Sequence, residues 1–309
     1  MTHYLQKSRL IRVVAAFCLG AGLLAGCEAS VDPILSTDRN FTMYGTLSSS
    51  SDTQTVRVYP IGARLEPTPG DKLDATFTSE NMTSGEVRTW NDSVHTEPDG
   101  QRVHVFWSEF AAERGQNYRL EVSSAERGTT HADLTVPPDV EAVGMPAELS
   151  PGRVIKRVRI PGAAPEVADP ATVIYNLKFD AASPQQGVPP PATLDKTTLE
   201  APVVKEDGTW YVEIPLDQHF EALDRRYDTQ RRINANYGIF LFGLEVRIQV
   251  VSEGWTIPER ELTADLVVQP GVRSNVVGGF GFVGAGYTQT TFIETAKDAE
   301  TAAGFREQM

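Results

Sequence analysis

The stretch GIFLFGLEVRIQVV, residues 238–251, carries the strongest strand pattern of the chain. It begins with an apolar run, and from Leu244 onward apolar residues alternate with polar ones such as Glu245 and Arg247. An alternation of period two places one side of a strand in a core and the other side in water. We therefore predict a long strand at the centre of a sheet, within a mainly β fold.

Shorter alternating segments fill the first part of the chain, separated by turn residues. They lie at 41–47, 54–59, 74–78, 86–90, 102–107, 117–122 and 131–136. Such a series is typical of an immunoglobulin-like β-sandwich of about 100 residues. We place this sandwich at residues 40–138, because Pro137 and Pro138 cannot donate hydrogen bonds to a continuing strand. In segment 102–107 the alternation predicts that Trp107 lies on the buried face.

The region 153–295 is predicted to form a second β-rich domain after a linker at residues 139–152, which contains two prolines. Within the domain, Asp207-Gly208 separates two strand-like segments and predicts a hairpin turn. The last residues, 296–309, are largely polar and are expected to form a fraying tail.

One amphipathic helix is predicted in this second domain. Its apolar residues, Leu216, Phe220, Leu223 and Tyr227, follow helical spacing. Asp217 is the expected N-cap, because its carboxylate can accept a hydrogen bond from a free backbone N–H of the first turn.

The first residues have the pattern of a secretory signal peptide. Three basic residues precede 14 uncharged ones at 13–26, which as a helix would reach about 21 Å, short of the roughly 30 Å hydrocarbon core. A signal peptide over residues 1–26, removed by cleavage, fits this pattern better than a membrane-spanning helix.

The leader ends in Leu24-Ala25-Gly26-Cys27, which resembles a bacterial lipobox. The resemblance implies that a signal peptidase recognises Leu24, Ala25 and Gly26, and that Cys27 carries diacylglycerol and an acylated amino group. Two or more acyl chains anchor a protein stably in a bilayer. Residues 27–39 are then a tether to the β domains. The alternative is an ordinary signal peptide with Cys27 as a free thiol.

Composition excludes several classes of function. The formal net charge of −13 argues against nucleic acid as a partner, since phosphate binding needs clustered Lys and Arg. The chain has two cysteines, Cys18 and Cys27. If the first leaves with the signal peptide and the second is acylated, no thiol is left for a disulfide, a thiolate zinc site or a cysteine nucleophile.

The stretch Gly279-Phe-Gly-Phe-Val-Gly284 matches the spacing G-x-G-x-x-G. A dinucleotide site needs a helix after this motif, so that the phosphates meet the helix N-terminus. The following residues, 287–293, are strand-like instead. We therefore expect close packing of strands at these glycines, and no cofactor.

No catalytic motif is present in the sequence. The histidines are scattered and none lies at metal-ligand spacing with another, so no metal site is predicted. In so acidic a chain, a carboxylate pair for a hydrolase cannot be chosen from sequence, because the separation of the two groups in space decides. The protein is expected not to be an enzyme, and an envelope hydrolase is a minor alternative.

Trp210 and Trp255 are the candidate ligand-binding residues, because both lie next to turns and an exposed indole can stack on a sugar. The alternative for each is a role in a core, where strand aromatics are found more often. We expect Trp107 to be a core residue, because it shares a face with two valines.

Several stretches together resemble a family of Bacteroidetes-type envelope lipoproteins, a domain of unknown function. They are the lipobox, Tyr44-Gly-Thr-Leu47, Gly115-Gln-Asn-Tyr-Arg-Leu-Glu-Val122 and Ser274-Asn-Val-Val-Gly-Gly-Phe-Gly-Phe-Val-Gly284. Genes of this family often accompany an outer-membrane TonB-dependent transporter. The resemblance implies an accessory role in the envelope and supplies no catalytic residues.

These observations lead to one main hypothesis and one chief alternative. The main hypothesis is a non-catalytic lipoprotein anchored in the outer membrane through Cys27, which binds a partner such as a TonB-dependent transporter. The alternative is a surface lipoprotein that binds a glycan or a peptide through Trp210 or Trp255.

Overall fold

The protein is mainly β, as the sequence predicts. A computed structural model describes residues 39–61, 72–96, 98, 100, 102–161, 166–180, 194–233, 238–253, 255 and 274–307. Residues Asp38–Met309 form one compact unit. The predicted signal peptide at 1–26 and nearly all of the predicted tether at 27–39 lie outside the described residues.

Strands make up most of the described chain, in its first half and in its second. The first eight are β1 (Phe41–Ser48), β2 (Thr53–Pro60), β3 (Thr76–Asn81), β4 (Val87–Thr89), β5 (Asn91–Thr96), β6 (Arg102–Glu109), β7 (Asn117–Ser124) and β8 (Gly128–Thr135). The later elements are β9 (Val143–Ser150), β10 (Arg153–Ile160), β11 (Glu166–Val167), β12 (Ala171–Asp180), β13 (Leu194–Ala201), β14 (Val203–Glu206), β15 (Thr209–Pro215), α1 (Leu216–Ile233), β16 (Gly238–Val251), β17 (Val276–Val277), β18 (Gly279–Ile293) and α2 (Lys297–Ala303).

These strands form three sheets within the described part of the chain. The large sheet has the order β13-β12-β16-β18-β1-β2-β6-β5, with β11 paired to β16. The second sheet has the order β14-β15-β10-β9, and the third has the order β17-β8-β7-β3-β4. The large sheet therefore contains strands from both predicted domains.

The first core lies between the third sheet and the β1–β2–β6 part of the large sheet. Alternate residues of β1 point into it, so that Phe41 and Met43 are fully buried. At its centre the ring of Phe77 stacks on Phe106 at 5.2 Å and meets Trp90 at 4.9 Å. Trp90 is thus a core residue, and its indole N–H donates to a serine of β3.

The second core lies between the second sheet and the β12–β16 part of the large sheet, together with α1 and α2. The alternation predicted for residues 238–251 is confirmed, because Leu244, Val246, Ile248 and Val250 are all buried in this core. From α1, the side chains of Leu216 and Leu223 are fully buried against them. Each such apolar side chain stabilises the fold by about 1.5–3 kcal/mol.

Strand β18 belongs to both cores. Its first half runs parallel to β1, and its second half runs antiparallel to β16. Val283 accordingly lies in the first core, whereas Tyr287 and Ile293 lie in the second. The hydroxyl of Tyr287 also donates to the carbonyl of Pro138 at 2.7 Å and accepts from the N–H of Val140 at 3.0 Å. These two bonds tie the connection between the predicted domains to the shared strand.

The glycines of the G-x-G-x-x-G motif lie in a strand, as expected. A Cβ atom on Gly279 would lie 2.1 Å from the carbonyl oxygen of Phe41, and one on Gly281 would lie 2.0 Å from that of Met43. Gly281 also has a φ of 110°, which favours glycine. Only residues without a side chain fit at these two positions beside β1.

The hairpin turn predicted at Asp207-Gly208 is confirmed. The two residues have φ values of 47° and 78° and connect β14 to β15. Positive φ at both central residues is the geometry that Asp-Gly turns favour.

The predicted helix is present as α1, but the prediction about its cap is wrong. The helix begins at Leu216, so Asp217 lies inside the first turn. Its carboxylate accepts a hydrogen bond from the backbone N–H of Val154 at 3.2 Å instead. This bond joins the start of the helix to β10, which sequence spacing alone does not reveal.

Two segments expected to be irregular are in fact ordered. Residues 143–150, within the expected linker, form edge strand β9, whose mostly exposed residues and proline hide the strand pattern. The predicted fraying tail at 296–309 is wrong, because it contains α2. Ala299, Ala303 and Phe305 are buried, and Gly304 caps the helix at a φ of 109°.

The prediction that Trp107 is buried in the core is also wrong. Phe106 points into the first core, and Trp107 is half-buried on the opposite face beside Thr55. In β6 every second residue from His104 to Ser108 is buried. The alternation favoured the face of Val103, Val105 and Trp107, whereas the face that lies inside carries the polar His104 and Ser108 beside Phe106, so the local pattern pointed to the wrong face.

Candidate functional site

Trp210 lies in β15, where its half-buried ring packs against the second core. The Nζ atom of Lys205 lies 4.5 Å from the centre of the ring, so the cation covers one face of the indole. The Nε1–H group of Trp210 is buried and has no hydrogen-bond partner in the described part of the chain. Trp210 therefore offers little free ring surface to a ligand.

The indole ring of Trp255 packs against β18 at Gly284. A Cβ atom on this glycine would lie 1.9 Å from ring atoms Cε3 and Cζ3 of the indole. The ring meets Phe282 edge-on at 5.6 Å, and the backbone N–H of Trp255 donates to the carbonyl of Ser252 at 3.1 Å. The last glycine of the motif thus provides the space that the tryptophan occupies.

Several aromatic side chains surround Trp255 on the outer face of the large sheet, which is the face opposite the first core. Side chains that alternate with the first-core residues point to this face. Tyr44 of β1 pairs with Phe282 of β18, and the neighbouring Thr42 pairs with both Phe280 and Tyr59. We call the set of Tyr44, Tyr59, Phe280, Phe282 and Trp255 the aromatic face; all five residues are half-buried.

The aromatic face contains two polar atoms without a partner. The Tyr44 hydroxyl and the Trp255 Nε1 atom are both buried and make no hydrogen bond to any residue that the structure describes. Burial raises the pKa of the Tyr44 hydroxyl, and the nearby Tyr59 raises it further, so the phenol stays protonated. At one end of the face, the guanidinium carbon of Arg39 lies 4.0 Å from the ring centre of Phe280.

The other half of the same sheet face exposes two phenylalanines. Phe242 is 61% exposed and Phe292 is 76% exposed. Phe242 lies at a β-bulge, because Gly243 pairs with Asn176 whereas Leu241 pairs with the next residue of β12. The bulge places the apolar ring in solvent. We call Phe242 and Phe292 the phenylalanine pair.

The polar groups next to the phenylalanine pair bond to each other. Glu245, the cross-strand partner of Phe292, accepts hydrogen bonds from Lys196 at 2.8 Å and Asn176 at 3.2 Å. The lysine bond, followed by the asparagine bond, lowers the pKa of the Glu245 carboxyl. The carboxylate charge beside the exposed ring is therefore compensated.

A cleft of about 620 Å³ lies where the two predicted domains meet. It is lined by Met82, Asn117, Tyr118, Asp133, Leu134, Thr135, Pro137, Pro138, Ser252, Glu253 and Asn275. Most of its polar side chains already have partners in the protein: Asp133 pairs with Arg119 at 2.8 Å, and Thr135 donates to Asn117 at 2.6 Å. The volume suits a small ligand, but the lining offers few uncommitted polar groups.

No family model and no curated protein matches this chain. Among solved structures, it is similar to a pullulanase from Anoxybacillus sp. LM18-11 complexed with maltotriose, at 15% identity over 57% of this chain, with a TM-score of 0.22. A second pullulanase structure from that organism gives 12% identity over 67% of this chain and a TM-score of 0.21. This chain spans only 22% and 24% of the two pullulanase chains.

A third similar structure is a candidate carbohydrate-binding protein from Bacteroides uniformis ATCC 8492. It shows 10% identity over 69% of this chain and 89% of its own, with a TM-score of 0.16. At TM-scores this low, none of the three likenesses carries an argument about fold, ligand or activity.

Two of the described histidines, His104 and His219, are hydrogen-bonded within the fold. His104 pairs with Asp92 at 3.1 Å, and the buried His219 bonds to the hydroxyl of Tyr175 at 2.8 Å through Nδ1. Burial lowers the pKa of the His219 ring, which is therefore neutral at pH 7. Among the described residues, no group of three or more His, Cys, Asp or Glu side chains could hold a metal ion.

Leu24, Ala25, Gly26 and Cys27 lie outside the described residues, so the lipidation site has no structural description. No helix within the described ranges is both long and apolar enough to span a membrane. Sequence reasoning selected Trp255 but missed Tyr44 and Phe282 beside it. The signal in the sequence was the alternation of Tyr44 with two apolar residues of β1, which puts it on the outer face.

Proposed function

We propose that this protein is a non-catalytic lipoprotein of the cell envelope, anchored in the outer membrane through acylated Cys27. Its β body binds a partner protein of the same membrane, such as a TonB-dependent transporter. The lipobox and the likeness to envelope lipoproteins support the anchor and the accessory role. The observation that carries the binding role is the phenylalanine pair.

The phenylalanine pair fits a protein interface. Two large apolar side chains on one sheet face are exposed at a cost in hydration, and such patches commonly mark interaction sites. Aromatic residues are enriched in the cores of interfaces, and charged residues are depleted there. Because Glu245 is already paired with Lys196, a partner can cover Phe292 without burying an unpaired carboxylate. The partner surface is therefore expected to be apolar opposite the pair.

The double variant Phe242→Ser/Phe292→Ser tests this role. The tagged full-length protein is captured from detergent-solubilised outer membranes, and the co-purifying proteins are identified by mass spectrometry. We expect wild type to recover one outer-membrane transporter and the double variant to recover at least tenfold less of it, since hot-spot aromatics carry much of the binding energy.

Val87→Ser is the matched control, because Val87 is similarly exposed on the third sheet. It should recover as much transporter as wild type. Equal recovery by wild type and the double variant would contradict a role for the pair. Recovery of no envelope protein by wild type would contradict the accessory function itself.

Glycan binding is the second candidate function, and the surroundings of Trp255 favour it. The indole is half-buried beside a second aromatic ring, and its buried N–H has no partner among the described residues. Trp210 is the weaker of the two tryptophans, because Lys205 covers its ring. Binding to a glycan array that Trp255→Ala abolishes would support this function, and silence of the wild-type protein on the array would remove it.

A further inference from the structure

The cleft between the two predicted domains is open at the surface. Its volume of about 620 Å³ lies within the range of about 300–1,000 Å³ that is usual for ligand sites. Four of its lining residues, Met82, Asn117, Thr135 and Glu253, are exposed, so a ligand can reach them. Met82, which is 47% exposed, supplies apolar surface to the cleft together with the exposed Pro138.

The side-chain amide of Asn117 is held in a fixed orientation at this cleft. Asn117 of β7 lies opposite Thr135 of β8, and the hydroxyl of Thr135 donates to Oδ1 of Asn117 at 2.6 Å. The Nδ2 group of Asn117 has no acceptor among the residues that the structure describes. Because an amide NH₂ group carries two donors, a ligand with a carbonyl oxygen can accept a hydrogen bond here.

Ser252 and Glu253, which follow β16, add two further polar groups to the lining. Ser252 is 8% exposed, and its Oγ atom accepts a hydrogen bond from the backbone N–H of Ala285 at 3.2 Å. Its own O–H group has no acceptor within the described ranges. The exposed carboxylate of Glu253 likewise has no described partner. The cleft therefore offers hydrogen-bond donors and one uncompensated negative charge.

The charge of the lining favours a cationic ligand. Asp133 and Glu253 are its acidic residues, and the described lining contains no Lys, Arg or His. The guanidinium of Arg119 donates to both carboxylate oxygens of Asp133, at 2.8 and 2.9 Å, so the charge of Asp133 is compensated. The charge of Glu253 is not. A cleft whose lining carries one sign of charge raises the local concentration of ions of the opposite sign.

The same groups distinguish between classes of ligand. A saccharide commonly stacks on an exposed aromatic ring, but Tyr118, the aromatic residue of the described lining, is only 5% exposed. A peptide with a lysine or arginine fits better. Its backbone supplies carbonyl oxygens for the free donors, and the basic side chain combines an apolar stem with a charged end.

We infer that the cleft binds an extended peptide segment through a lysine or arginine side chain. The cation pairs with Glu253, the apolar stem packs on Met82, and backbone carbonyls accept from the Asn117 amide and the Ser252 hydroxyl. This inference goes beyond both proposed functions, because the site contains neither the phenylalanine pair nor Trp255. Capture of a transporter therefore neither supports nor contradicts it.

Two short peptides with blocked ends, Ala-Arg-Ala and Ala-Gln-Ala, test the site. Each is titrated calorimetrically into the full-length protein in detergent micelles, and the heat of injection into protein-free micelles is subtracted. We expect the arginine peptide to bind with a dissociation constant below about 1 mM. The glutamine peptide should bind about threefold more weakly or less, the effect of losing one exposed ion pair.

Glu253→Gln should remove this difference between the two peptides, because it removes the carboxylate that pairs with the cation. Glu126→Gln is the matched control, since Glu126 is an exposed acid in the turn between β7 and β8, at the opposite end of that strand pair from Asn117 and Thr135. It should keep the wild-type difference. Thr135→Trp, which fills part of the cleft without changing its charge, should weaken the arginine peptide by about tenfold or more. The melting temperature of each variant shows that it is folded.

A preference for the arginine peptide that is lost in Glu253→Gln and kept in Glu126→Gln supports the site. Equal affinity of wild type for the two peptides overturns it, as does a preference that persists in Glu253→Gln. Wild-type affinity in a folded Thr135→Trp variant shows that the peptide binds elsewhere and also overturns the site. If wild type does not bind the arginine peptide at all, the inference is overturned, and both proposed functions are left as they stand.

Discussion

Gly281→Ala is expected to lower the free energy of unfolding by about 3 kcal/mol or more. The new Cβ atom would lie 2.0 Å from the carbonyl oxygen of Met43, and a backbone oxygen cannot move aside as a side chain can. The φ of 110° adds strain for any residue that carries a Cβ atom. Because β18 joins the two cores, the strain acts at the centre of the large sheet.

Gly243→Ala is the control for this change. Gly243 lies in the neighbouring strand β16, its φ is not positive, and a Cβ atom added there would have no neighbouring atom within 4 Å. Its free energy of unfolding should change by less than about 1 kcal/mol. Urea unfolding followed by tryptophan fluorescence measures both variants. Equal stability of Gly281→Ala and wild type would contradict the close parallel pairing of β1 and β18.

Phe77→Ala is expected to destabilise the protein by about 3–5 kcal/mol, the usual range for loss of a buried phenylalanine. Its side chain is 0% exposed and contacts the rings of Trp90 and Phe106. The substitution removes apolar contacts and leaves a cavity that its two aromatic neighbours cannot close. Differential scanning calorimetry would record the loss as a lower melting temperature.

The same substitution at Phe292 provides the comparison, because that side chain is 76% exposed. Phe292→Ala should change the stability by no more than about 0.5 kcal/mol. If it were as destabilising as Phe77→Ala, Phe292 would be a structural residue, and the phenylalanine pair would lose its role as a binding surface. If Phe77→Ala were neutral, the first core would not lie between the large and third sheets.

Local patterns in the sequence predicted most of the strands. Residues 238–251 alternate because one face of β16 lies in the second core, and that alternation is a property of neighbouring residues. The Asp207-Gly208 turn was predictable for the same reason, since its backbone geometry is determined within the turn. The stripe of Leu216 and Leu223 likewise predicted α1.

The errors arise where burial depends on distant residues. Trp107 shares its face with two valines, whereas Phe106 shares its face with His104 and Ser108, so the local pattern favoured the wrong residue as the buried one. In the same way, α2 is stabilised by contacts of Phe305 with Phe220 and Tyr175, which lie far away in the sequence. The polar sequence of this segment does not indicate that Phe305, near its end, is buried.

The candidate site was predicted only in part for a similar reason. Trp255 was selected because it follows a turn, but Tyr44 and Phe282 are brought together by the parallel pairing of two strands more than 200 residues apart. Neither strand shows this pairing in its own sequence. The glycines at 279–284 were recognised as packing positions, whereas the tryptophan that occupies the space over Gly284 was not foreseen.

The most direct test of the proposed function is the chemical state of Cys27. The full-length chain is expressed in a bacterial host, extracted from membranes, and its N-terminal peptide is analysed by mass spectrometry. We predict a peptide that begins at Cys27 and carries diacylglycerol and an amide-linked acyl chain, with residues 1–26 absent. A free, unmodified thiol at Cys27, or a peptide that retains residues 1–26, would contradict the anchor and the envelope function proposed from it.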